Sequence, residues 1–182
     1  MRRAVFLVIA SLAVACSEAD PDEALLRRVD AAEARMLDRL AAGEQVGQSD
    51  DTDQDVTLLL RDYATYANAH HGDSLATRML MKRAELLLGK GEADAAAEQW
   101  LNIVESGGSA AFVPEAMFRL GFIRETALVD TVGALKAYAQ VVQLYPESSW
   151  SQMAADASKW LTFSEGEFIR ALQQEGEGSR VE

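Results

Sequence analysis

The chain has 182 residues, 49% of them apolar, with 17 basic against 29 acidic residues and a formal net charge of −12. That length leaves room for one domain of moderate size with a sizeable core, and the acidic balance argues against nucleic acid and anionic lipid headgroups as partners. A single cysteine, Cys16, rules out a disulfide framework, so packing has to hold the fold.

Residues 1–15 read as an export signal. Arg2 and Arg3 precede an apolar run over residues 4–14, too short for a bilayer core that needs about 20 apolar residues. Ala13, Val14 and Ala15 before Cys16 resemble the bacterial lipobox, which implies lipidation at Cys16 after cleavage. An ordinary secretory signal beside a coincidental cysteine is the alternative, although a lone thiol in an exported chain is itself unusual. Loss of Arg2 and Arg3 takes the basic count from 17 to 15 and the charge from −12 to −14. Acyl chains, and not a basic patch, would then hold the chain to a membrane.

Residues 16–22 read as a polar, acidic tether. Over 23–42, Leu25, Leu26, Val29, Met36, Leu37 and Leu40 fall at helical spacing among charged residues and predict an amphipathic helix ending at Gly43. Residues 43–54 carry no periodic apolar face and predict an acidic linker.

Beyond it the chain repeats with a period of about 37 residues. Turn-like segments begin at His70, Gly107 and Tyr145, and an aromatic residue, Tyr63, Trp100 and Tyr138, stands seven residues before each. Ala96 and Ala134 each precede their aromatic residue by four, and Ala84 and Gly121 recur 37 apart. Between turns there is room for two helices of about 15 residues, punctuated by Gly89-Lys90-Gly91 and Val129-Asp130-Thr131. The spacing predicts helices near 55–70, 75–88, 92–106, 113–127, 131–145, 149–161 and 164–174, then a disordered tail over 175–182. Small residues would let paired helices approach closely while the aromatic fills the gap between hairpins. Trp100, Tyr138 and Trp160 are therefore expected in the core. The fold class is all-α, a stack of helical hairpins over 55–174 whose stability is a sum of neighbour interfaces.

The pattern resembles the tetratricopeptide repeat (TPR). The resemblance puts Ala84, Ala96, Trp100 and Gly108 of one copy, and Gly121, Ala134, Tyr138 and Pro146 of the next, at the family's structural positions. It departs from the family where an early Trp is replaced by Leu80 and Met117, a Leu by Arg83, and a Tyr by Leu87 and Arg124. With the signal, the acidic linker and segments such as Pro114-Glu115-Ala116-Met117-Phe118-Arg119-Leu120-Gly121, the chain resembles short bacterial TPR lipoproteins and, more distantly, the lipoprotein subunit of the outer-membrane barrel-assembly machine. The resemblance implies a lipid-anchored scaffold of the bacterial envelope, and Ser17 after the cysteine implies the outer membrane, facing the periplasm. It also implies a peptide-binding groove lined by Arg78, Met81, Glu85, Phe118, Phe122 and Glu125. Burial of Phe118 and Phe122 under neighbouring helices is the alternative.

No enzymatic constellation is read. His70-His71 with Asp73 lacks enough convergent ligands for a metal and reads as a solvated turn. The run of Asp50, Asp51, Asp53 and Asp55 lacks the glycine and distal glutamate of a calcium loop. No phosphate loop, nucleophile elbow or HExxH spacing occurs. The expectation is a non-catalytic adaptor with a protein partner, and with no cofactor, metal or nucleic acid. A permanent structural subunit of an outer-membrane assembly complex is the rival, and an envelope enzyme or metal carrier the rival from another class.

Overall fold

The computed structural model describes residues 20–45, 49–105 and 109–163. Among them the regular structure is entirely helical: α1 (Pro21–Ala41), α2 (Asp50–Ala69), α3 (Ser74–Gly89), α4 (Ala93–Glu105), α5 (Val113–Thr126), α6 (Thr131–Leu144) and α7 (Ser149–Thr162). The all-α expectation holds for these residues, and six helices fall close to their expected bounds. The signal over 1–15, Cys16, Gly108, the helix over 164–174 and the tail over 175–182 lie outside the described residues.

Two boundaries differ from expectation. α1 begins inside the expected tether, because the Asp20 side chain accepts a hydrogen bond from the Asp22 backbone N–H and Pro21 presets the first helical φ. The expected linker ends at Ser49, not at residue 54. Ser49 caps α2, and Asp50, Asp51 and Asp53 sit in its first turn, where the helix dipole favours negative charge. Thr52 is fully buried and hydrogen-bonds Glu44 at 2.9 Å, so the acidic run is a helix start and not a solvated loop.

α1 is also no separate helix. Asp55 and Asp62 on α2 are seven residues apart, as are Arg35 and Arg28 on α1, and the pairs meet at 2.6 and 3.1 Å. Both carboxylates are buried, while Arg39 adds a contact of 3.9 Å to Asp55. The same seven-residue step on two helices running in opposite directions fixes their register.

The core comes in three consecutive parts. Leu25, Val29, Val56, Leu59, Tyr63 and Met79 join α1, α2 and α3. Met81, Ala84, Ala96, Trp100, Ile103 and Leu120 join α3, α4 and α5. Met117, Ala134, Tyr138, Val141 and Ala154 join α5, α6 and α7. α3 and α5 each serve two cores, so each helix packs chiefly on the one before and the one after it, and α5 also touches α7. Single helices of this kind cannot bury an apolar face alone, and sharing them links the three cores.

Candidate functional site

The repeat positions sit where close approach is needed. Ala84, Ala96, Ala134 and Tyr138 are fully buried, Trp100 nearly so, and Gly121 is buried with them. A Cβ on Gly121 would stand 2.6 Å from Cε1 and 2.8 Å from Cδ1 of Tyr138, closer than real Cβ contacts come. The helix is thus glycine at this point because the Tyr138 ring lies against its backbone. Pro146 is exposed in the turn between α6 and α7.

Buried tyrosines carry polar tips that need partners. Tyr138 donates its hydroxyl to Glu125 on α5 at 2.7 Å, and Tyr63 donates its own to Glu33 on α1 at 2.6 Å. Burial, and then the carboxylate that each hydroxyl faces, hold both phenols well above the ordinary tyrosine range. In the α1–α2 and α5–α6 hairpins the second helix thereby clamps the first through an aromatic ring and an acid. The arginines that depart from the TPR pattern are satisfied as well. Arg83 bridges hairpins by donating to the Leu60 carbonyl and to the buried Gln99 side chain, and Arg124 donates to the Gly133 carbonyl.

The residues expected to line a groove divide. Arg78 and Glu85 are exposed, Glu125 is half-buried under Tyr138, and Phe122 remains 48% exposed. Met81 is a correction: only 8% exposed, it belongs to the core beside Ala84 and Trp100, because the face of α3 that carries it packs against α4 and α5. Phe118 is half-buried, its ring 5.5 Å from Tyr138 and 5.3 Å from Trp150 on α7. Trp160, expected in the core, is 66% exposed and rests on Phe163 at 5.8 Å. It lies off the stripe of α7 that carries the buried Ser151 and Ala154.

Arg119 organises the face formed by α1, α3, α5 and α7. Its guanidinium reaches Glu85 on α3 at 3.4 Å and Glu115 at 2.9 Å, and lies 5.7 and 5.9 Å from the ring centres of Trp100 and Trp150. The space near Phe118 is thus filled from within. Open space appears one interval earlier, where Glu33, Met36, Leu37, Tyr63, Lys82, Glu85 and Leu86 line a cleft of about 300 Å³ between α1 and α3. Sequence reasoning named only Glu85 among these as a site residue. The available signal was Leu37, an apolar residue that directly follows Met36 and so lies about 100° further round α1, at the margin of its apolar stripe.

His70 has a structural place. Its ring stacks on Tyr66 at 4.3 Å, and Nε2 lies 2.9 Å from Asp22 without making a hydrogen bond, so the α2–α3 turn sits beside the start of α1. Among the described residues no group of three or more His, Cys, Asp or Glu side chains converges as a metal site would require, and no helix is long and apolar enough to cross a membrane. The chain matches no protein-family model, no curated protein and no solved structure.

Proposed function

We propose that this chain is a non-catalytic, lipid-anchored TPR adaptor of the bacterial cell envelope that holds a protein partner on the face of α1, α3, α5 and α7. One observation carries the reading: three consecutive cores share α3 and α5, with a small residue against a large aromatic ring where the two helices of a hairpin meet, as at Gly121 and Tyr138. That economy is what a TPR-like stack requires, and it leaves one broad face for recognition. The charged side chains singled out by burial or pairing serve to join helices, as with Asp55, Asp62 and Arg83.

Anchoring through Cys16 fits the same picture. Asp20 already caps α1, so the five residue steps from Cys16 to Pro21 reach at most ~18 Å. The start of α1 and the His70 turn beside it would stand next to the bilayer, with the outer membrane as the proposed site. Metabolic labelling with an alkyne fatty acid tests the anchor: label in the wild-type chain and none in Cys16→Ser is the expected result, and an unlabelled wild-type chain refutes it. Pull-down from detergent-solubilised membranes tests the adaptor role. A partner that exchanges on dilution fits an adaptor, whereas a stable stoichiometric complex identifies a permanent subunit instead.

A further inference from the structure

Successive gaps along the face of α1, α3, α5 and α7 are closed by different means. α5 and α7 touch directly, with Phe118 against Trp150. The gap between α3 and α5 is crossed by Arg119 reaching Glu85. Between α1 and α3 the described crossing is an ion pair, in which Lys82 Nζ donates to both Glu33 oxygens at 2.7 and 2.8 Å. The cleft of about 300 Å³ stays open beside it.

The cleft has the makings of a docking site for a side chain. Buried Leu86 and Tyr63 and half-buried Met36 form its floor, and Leu37, 61% exposed, stands at its edge. Leu40 lies three residues further along α1 and is also exposed, so the apolar edge continues for a helical turn. Among the described residues this leucine pair beside the cleft stays largely uncovered.

The rim sets the sign of the occupant. It carries two carboxylates, Glu33 and Glu85, against one ammonium, Lys82, and that ammonium is spent on Glu33. Glu85 is half-exposed and meets Arg119 only at 3.4 Å, while Arg119 is held closer, at 2.9 Å, by Glu115. Glu85 therefore keeps acceptor capacity for a cation from outside, in a chain whose net charge is −12.

Resting on the adaptor reading above, we propose that the α1–α3 cleft docks an amphipathic, basic helical segment of a partner protein. One large apolar side chain enters between Met36, Leu37 and Leu86, and a Lys or Arg within one turn of it pairs with Glu85. A gap between two helices edged by an apolar stripe suits the helix-in-groove mode, in which anchors recur at three- and four-residue spacing.

The test incorporates the photocrosslinker benzoylphenylalanine at Leu37 or at Phe122 of the full chain in the cells that make it, with the captured segment read by mass spectrometry. The expected result is capture at Leu37 of a segment bearing a large apolar residue and a Lys or Arg within one helical turn. A synthetic peptide of that segment should bind the full chain in detergent. Leu37→Asp and Glu85→Arg should each weaken it at least tenfold, and Glu85→Arg should regain a peptide whose basic residue is changed to Glu. Leu37 is exposed, so the variant should keep its circular dichroism and urea midpoint, and Leu37→Ser serves if it does not. Capture at Phe122 alone overturns the cleft and leaves the adaptor reading standing. An acidic captured segment, or peptide binding that tolerates both variants, overturns the cleft as well. No capture at either position overturns both.

Discussion

Gly121→Ala separates close approach from helix propensity, because the two push in opposite directions. Alanine is the better helix former by about 1 kcal/mol, so a glycine retained in the middle of α5 for no packing reason should be improved by the change. The structure says otherwise. The added methyl would sit 2.6 Å from Cε1 and 2.8 Å from Cδ1 of Tyr138. That ring is fully buried, its hydroxyl is held by Glu125 at 2.7 Å, and Phe118 stands 5.5 Å from its centre, so it has little room to yield. Overpacking of a tight core costs about 1–3 kcal/mol. A contact this short against a braced ring belongs at the top of that range, and subtracting the propensity gain leaves a net loss of about 2 kcal/mol. Urea unfolding followed by far-ultraviolet circular dichroism should show the midpoint fall, with Glu98→Ala, an exposed change on α4, staying within about 0.5 kcal/mol. Combining Gly121→Ala with Tyr138→Leu should cost less than the two separate losses added together. A Gly121→Ala chain as stable as the wild type, or more so, would refute the close approach and the hairpin register built on it.

Val129 is a β-branched residue at φ +55 in the turn between α5 and α6, and it is 81% exposed. Relief of left-handed strain should outweigh the added freedom of the unfolded chain, so Val129→Gly should gain about 0.5–1 kcal/mol by urea midpoint, and a loss would mean that the strain is absent. Trp100→Ala should cost about 3–5 kcal/mol, while exposed Trp160→Ala should change stability by less than about 0.5 kcal/mol; calorimetric midpoints that shift alike would contradict the assignment of one ring to the core and the other to solvent. Burial pushes the Asp62 carboxyl up, but hydrogen bonds from Arg61 and Arg28 outweigh it and hold the group below its ordinary value. A lowered folded value means that its contribution is complete above the ordinary aspartate pKa of about 3.9 and fades as pH falls through the folded value. The gap in urea midpoint between wild type and Asp62→Asn should therefore be constant near neutrality and close in acid, and a gap that persists unchanged to pH 2 would exclude this linkage.

The helices were legible in the sequence because their causes are local. Apolar spacing, the caps and turn residues and the breaks at Gly91 and Tyr145 act within a turn or two, so six of the seven described helices follow the expected bounds closely. The pairing of a small residue with a buried ring was legible too, since the recurrence of Ala84 with Gly121 and of Trp100 with Tyr138 is a property of spacing alone. What only the tertiary structure decided is which side of each helix is covered, because that depends on neighbours distant in sequence. Met81 turns inward since α3 lies between two cores, while Trp160 turns outward since its side of α7 meets no described helix. The acidic run became a helix start because Arg35 and Arg39, 20 and 16 residues before Asp55, were there to receive it. The cleft at Leu37 belongs to the same class: it is a gap between α1 and α3, and no stretch of sequence contains both of its walls.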